Sequence, residues 1–193
     1  MRIERVHEAS PGITAWTVAG YASPVSDLAW HITMTGATPG PLVGTVLDAV
    51  VSGTVETEGT FLSADTAEPL TRPLGESGWQ FTGGGHYLTW KAPGADIHLT
   101  FNALAAQFPS AMATPWMIWA GPRFNRRQVK WLIETPSGTP THLLTDVITE
   151  LAEGTARPSH PTHLRSNTLH ESTTTPIAPA AVPASTPTRR FTP

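Results

Sequence analysis

Polar and apolar positions alternate from Trp30 onward. Trp30, Ile32 and Met34 fall on one side of an extended chain, and His31, Thr33 and Thr35 on the other, which predicts a half-buried strand. The period then changes. Leu42, Val43, Val46, Leu47, Val50 and Val51 recur at helical spacing and predict an amphipathic helix. Thr38 is the expected N-cap with Pro39 at the first helical position, and Gly53 is the expected stop.

The same sequence of signals returns 101 residues later. A strand begins at Trp131, Thr139-Pro140 opens a helix, and Leu143, Leu144, Val147, Ile148, Leu151 and Ala152 form its stripe, with Gly154 as the stop. Residues 18–53 align with 119–154 without a gap, and nine of the 36 positions are identical. Start, stripe and stop recur together, which predicts an internal duplication.

Between the copies the chain reads mostly as strand. Thr54 to Leu62 alternates weakly, and 79–91 reads as a hairpin turning at Gly83-Gly84-Gly85. Ile97, Leu99 and Phe101 alternate with Asp96, His98 and Thr100. Pro115 to Ala120 is a dense apolar strand, and Phe124 to Thr135 is expected to pair back against it. One complete unit is therefore four or five antiparallel strands followed by a helix, and the first copy supplies only the last two strands and the helix. The expected fold class is α+β, with antiparallel sheets, one or two of them, and two equivalent covering helices from the strand–helix duplication. The expected organisation is a segment 1–13, a truncated first repeat 14–53, a complete repeat 54–154 packed with it, and a tail 155–193. The tail is rich in Pro, Thr, Ser and Ala and has no aromatic residue before Phe191, so it is expected to be disordered.

Several motifs resemble the actinobacterial SPDY family, a domain of unknown function usually found as two copies per chain. Pro73-Leu74 before Gly78-Trp79, Trp90-Lys91-Ala92-Pro93-Gly94 before Ile97-His98-Leu99, and Trp131 through Thr139-Pro140 to Leu151 resemble its entry, central and closing segments. The Ser-Pro-Asp that names the family is Ala92-Pro93-Gly94 here. The resemblance implies a full copy over about 60–154 and a truncated one over about 14–53. It implies no activity.

Composition narrows the chemistry. The chain has no Cys, which excludes disulfides, thiol catalysis and Cys-ligated metals. No apolar run approaches a membrane span of roughly 18–20 residues. The charged start at Met1–Ser10 lacks the apolar core of a secretory signal, so a cytoplasmic location is expected. Residues 1–154 carry a net charge of −6 and 155–193 a net of +3, unlike the surface of a duplex-DNA binder. Nucleophile-elbow, Walker A and dinucleotide-binding glycine motifs are absent. Gly83-Gly84-Gly85-His86 reads as a turn rather than an oxyanion hole. His31, His86 and His98 lie on expected strands with no metal-binding spacing, and His160, His163 and His170 lie in the tail. The pairs Glu56/Glu58 and Glu150/Glu153 read as solvated faces. No catalytic residue, metal or cofactor is expected.

One cluster stands out. Arg123, Arg126, Arg127 and Lys130 hold half of the positive charge of residues 1–154, with Phe124 among them and Trp119 and Trp131 at the flanks. A charged, solubilising hairpin tip, an acidic protein partner and single-stranded nucleic acid all suit this cluster. Trp116 and Trp119 fall on opposite faces of one strand, so at least one of them is a candidate for exposure to a partner. The expected function is a non-catalytic intracellular binding module for an unknown protein. Weak single-stranded nucleic-acid binding through Arg123–Lys130 is the alternative, no membrane contact is expected, and homo-oligomerisation stays open.

Overall fold

The computed structural model describes residues 1–6, 12–21, 23, 27–52, 64–107, 113–126 and 128–156. The described residues lie in the unit Met1–Ser159. The expected tail beyond residue 156, the weak strand at 54–62 with Glu56 and Glu58, and Gly53 lie outside them.

Eight strands run in order β1 (Arg2–Arg5), β2 (Thr14–Tyr21), β3 (Leu28–Thr35), β4 (Gln80–Gly84), β5 (Tyr87–Lys91), β6 (Ile97–Asn102), β7 (Trp116–Ala120) and β8 (Trp131–Thr135). Four helices accompany them: α1 (Gly40–Val51) after β3, α2 (Ala64–Glu76) before β4, α3 (Ala103–Gln107) after β6 and α4 (Thr141–Ala156) after β8. The fold is α+β, and of the one or two sheets expected there is one. Its strand order is β1-β2-β3-β8-β7-β6-β5-β4, and every neighbouring pair is antiparallel.

The alternation read from the sequence decides which side of the sheet is buried. Trp30, Ile32 and Met34 join Val18, Leu99, Phe101, Trp116, Ile118 and Ile133 in one core with the helix stripes. Helices α1 and α4 touch each other, as do α2 and α4, so they form one layer on one side of the sheet. In α4, Leu143, Leu144 and Ile148 are fully buried, each worth roughly 1.5–3 kcal/mol when removed from water. Val46 and Val147, equivalent positions of the two helices, are 0% and 2% exposed.

The register relates the two halves closely. Thr33 pairs with Glu134 across the β3–β8 junction, and these are the two residues that the 101-residue offset makes equivalent. An antiparallel pair of equivalent positions is the arrangement that a local twofold through the junction requires. Strands β2 and β7 then flank the junction, and β1 and β6 lie beyond them. The gapless alignment slips by one residue here. Gly20 pairs with Trp30 and Ala120 with Trp131, so Gly20 matches Ala120, and Trp16 matches Trp116. Between the paired residues Ala120 and Trp131 the chain has one residue more than between Gly20 and Trp30. Strand β1, inside the segment read as lying outside the first repeat, occupies the place of β6. Arg5 lies 4.7 Å over the ring of Trp16, where Phe101 packs 4.5 Å from Trp116 in the other half.

Helix α2 stands in a stretch expected to be mostly strand, and it holds two prolines, Pro69 and Pro73. Both prolines sit off the buried stripe of Ala67, Leu70, Thr71 and Leu74, which keeps helical spacing. The Thr71 hydroxyl donates to the Ala67 carbonyl at 2.7 Å. At the helix end, Trp79 N–H reaches Leu74 O (3.0 Å) and Gly78 N–H reaches Gly75 O (3.1 Å), with Gly78 at φ 80°. This is a Schellman stop, with buried Leu74 and Trp79 at its two apolar positions. The expected entry motif Pro73-Leu74…Gly78-Trp79 is thus the end of a helix. Short α3 was missed as well; the Asn102 side chain caps it by accepting from Ala105 N–H at 3.1 Å. Two expected caps also shift. Helices α1 and α4 begin one residue later than expected, with Pro39 at the N-cap and no side-chain cap bond on α1. Helix α4 runs through Gly154 to Ala156 rather than stopping at that glycine. The hairpin at 79–91 is present, with the two-residue link Gly85-His86.

Among the described residues no helix is long and apolar enough to cross a membrane.

Two substitutions probe this packing. A Cβ on Gly20 would meet the Trp30 indole at 2.3 Å, so Gly20→Ala should cost about 1–3 kcal/mol by urea unfolding. Val46→Asp and Val147→Asp each put an unpaired charge into the core. Both should lose the cooperative thermal transition seen by circular dichroism.

Candidate functional site

The uncovered side of the sheet carries the half-buried polar and aromatic side chains. One row crosses it from β2 to β5 through Thr17, Thr33, Glu134, Met117, Thr100 and Thr89, residues opposed pair by pair in the registers. The hydroxyls of Thr89 and Thr100 lie 3.4 Å apart. Beside this row stands Trp119. Its ring stacks on His98 (centroids 4.1 Å apart, planes 10° apart) and its Nε1–H points to the Thr100 hydroxyl at 3.4 Å.

The link between β7 and β8 folds back over this tryptophan. Gly121 N–H donates to Asp96 O and Lys130 N–H to Ala120 O, both at 2.7 Å, so the ends of the link stay tied to the sheet. Gln128 and Val129 both donate to Asn125 O, which closes a turn inside it. The buried side chains of Val129 and Leu132 pack with Trp119, and Phe124 meets its ring edge-on at 5.5 Å. The link is therefore ordered by a small second core, and the strand expected from Phe124 forms only from Trp131.

The predicted site residues separate. Trp116 is fully buried under the helices, so it stands on the far side of the sheet from the basic link. Trp119 is on the correct side but only 5% exposed, because His98, Phe124 and Val129 already cover it. Phe124 is the exposed aromatic, at 43%. Arg123, Arg126 and Lys130 are exposed, and Arg127 lies outside the described residues. Arg126 is bound to Glu134 at 2.5 Å. Among the described residues, neither Arg123 nor Lys130 makes an ion pair.

Glu134 was not singled out from the sequence, although alternation with Trp131 and Ile133 places it on the polar side. Burial pushes its carboxyl above the ordinary value, and Arg126 opposes that by charge and hydrogen bond. Burial lowers His98, Lys91 lowers it further, and Asp96 and the Gly121 backbone act in the other direction. Burial also lowers His31. His31 on β3 and His98 on β6 are separated by β8 and β7, and His86 sits in the exposed turn, so the three strand histidines do not converge.

A separate cavity of about 340 Å³ opens on the helix side, where Pro39, Pro41 and Leu42 at the start of α1 face Trp131, Glu150 and Leu151. Glu150 therefore lines an apolar recess, while Glu153 is exposed.

Residues 1–55 match the SPDY family model, described as Domain of unknown function (DUF317). The matched stretch contains β1, β2, β3 and α1. It is the half without the motifs that first suggested SPDY, which lie between Pro73 and Leu151, and it includes β1, which the first repeat was expected to lack. No curated protein and no solved structure matches the chain. The SPDY description assigns no chemistry to any of these residues.

The Arg126–Glu134 pair sets a pH dependence. A carboxyl whose pKa is raised by folding holds its proton more tightly in the native state. Its contribution to stability is therefore present at acid pH and is lost as pH rises from the ordinary carboxylate range through the raised value. Removing Arg126 removes the opposing charge, so Arg126→Ala should extend that loss to higher pH. The exposed arginine limits the neutral-pH cost to roughly 0.2–1 kcal/mol. Melting temperature against pH for both proteins measures the difference.

Proposed function

We propose that this chain is a non-catalytic intracellular binding module whose partner is a protein, contacted through the Arg123–Lys130 link and the adjoining open side of the sheet. The observation that carries this reading is Phe124. Its half-exposed ring is anchored on Trp119 and belongs to the same link as the exposed Arg123 and Lys130, next to a sheet face over which no described helix packs. An aromatic side chain fixed by a rigid base loses little entropy on contact and is a frequent interface anchor. Two cations at its border favour an acidic partner surface by steering and register.

The nucleic-acid alternative has weaker support. Arg126 is committed to Glu134, Trp119 is already covered on both sides, and residues 1–154 carry a net −6. What remains is one exposed ring and few phosphate contacts, whereas single-strand binding uses several stacking platforms along a basic groove. The non-catalytic part of the reading rests on the dispersal of the displaced groups His31, His98 and Glu134 over three strands. We also read the two halves as copies of one strand–helix unit, supported by the Thr33–Glu134 register and by the matching starts of α1 and α4.

The test is a pull-down from native lysate with and without nuclease, comparing the parent protein with a triple variant Arg123→Ala, Phe124→Ser, Lys130→Ala. All three side chains are exposed, so the variant should keep its melting temperature to within a few degrees. The expected outcome is a nuclease-resistant protein partner lost in the variant. Oligonucleotide anisotropy should give dissociation constants of micromolar or weaker near physiological salt, the range of non-specific contacts. Tight oligonucleotide binding abolished by the triple substitution would transfer the function to nucleic acid.

A further inference from the structure

The sheet ends at β1 on one side and β4 on the other, and the two edges differ in kind. Strand β1 is Arg-Ile-Glu-Arg, with an ion pair between Arg2 and Glu4 along the strand. Charges of this sort deter pairing with another strand. Strand β4 is Gln80-Phe81-Thr82-Gly83-Gly84. It has no charge and no proline, and its five pairs with β5 run without a register shift. All five residues are exposed, and Phe81 keeps 58% of its surface in solvent. Along its helix side runs a groove of about 280 Å³, walled by Ala67, Glu68 and Thr71 of α2 and floored by Phe81, Leu88 and Trp90. Among the described residues, the devices that protect natural sheet edges are thus present on β1 and missing from β4.

We propose that β4 pairs antiparallel with β4 of a second copy of this chain, about a twofold axis at Thr82. This is the register in which all five residues find partners. Thr82 faces its own counterpart, Phe81 faces Gly83 of the second copy, and Gln80 faces Gly84. Like charges opposed across strands are what usually penalise self-pairing, and β4 carries none. The register also sets an aromatic ring across from a glycine. Within one chain the Phe81 ring lies over its own Gly83, 3.4 Å from the position a Cβ would occupy, so in the pair the two Phe81 rings and the two glycines gather on the helix side of the axis. The axis stands perpendicular to the sheet, so both helix layers stay on the same side. The second copy's Phe81 is then the diagonal neighbour of this chain's Phe81, at the rim of the groove. A five-residue edge is a small interface, so the dimer is weak and concentration-dependent.

This inference does not depend on the reading of the Arg123–Lys130 link, which lies beyond β7 and away from β4. The absence of cysteine makes the test direct. In the full chain, Thr82→Cys puts one thiol at the axis, and opposed residues of an antiparallel pair lie within disulfide reach. Mild oxidation of Thr82→Cys should give a covalent dimer, while Ile3→Cys, exposed on the charged edge, should give far less under the same conditions. Sedimentation of the cysteine-free parent should show reversible, concentration-dependent dimer, and Thr82→Lys, which opposes two ammonium groups at the axis, should be monomeric with an unchanged melting temperature. Equal cross-linking of the two cysteine variants, a parent that is monomeric throughout, or a dimer that survives Thr82→Lys would each overturn the proposal.

Discussion

The junction of β3 and β8 holds the two halves in one sheet, and it is narrow. Only two residue pairs, Thr33–Glu134 and Met34–Ile133, are in register there. The Thr35 hydroxyl extends the junction by accepting from Leu132 N–H at 3.0 Å, a side chain standing in for a backbone partner. So short a ladder cannot hold two units by hydrogen bonds alone, since each is worth only about 0.5–1.5 kcal/mol net. Contact between α1 and α4 on one side supplies the rest, through helix stripes that share a single core. The junction and the helix pair therefore depend on each other. Losing either would leave apolar helix faces in water.

That arrangement explains why the other side of the sheet is open. All three long helices lie on one side, so the remaining side must stay soluble through its own residues. It does so with a threonine-rich row, a carboxylate neutralised by Arg126, and a folded-back link that covers Trp119. The same features make it a surface on which one aromatic side chain is held rigid and displayed. The edge at β4 follows from topology too. Beyond β6, β7 and β8 the sheet continues through β5 to β4, and among the described residues no strand pairs with the outer side of β4.

Much of the fold was legible from local pattern. Alternation placed Trp30, Ile32 and Met34 inward and His31 and Thr33 outward, and helical spacing found both main helices. Helix α2, in a stretch that reads mostly as strand, contains Pro69 and Pro73. Each proline costs the helix a backbone donor and crowds the carbonyl four residues back, a cost that burial of the stripe offsets. The signal was present in the spacing of Ala67, Leu70, Thr71 and Leu74 and in the Leu74-to-Gly78-Trp79 stop. For the candidate site, the basic cluster and Phe124 were visible. Pairing of Arg126 with Glu134 was not, because it joins positions eight residues apart through a turn with no regular period.

By itself the sequence determined the two main helices, the buried side of the strand that carries Trp30, Ile32 and Met34, and the absence of thiol chemistry. These depend on local periodicity, side-chain size and composition, all of which act within a few residues along the chain. Tertiary structure decided the rest: that there is one sheet where one or two were open, both helices on the same side, the one-residue slip between β2 and β7, and the burial of both Trp116 and Trp119. Each of these depends on which distant segments meet, and the free energy of such a meeting belongs to the assembled core and to no single segment.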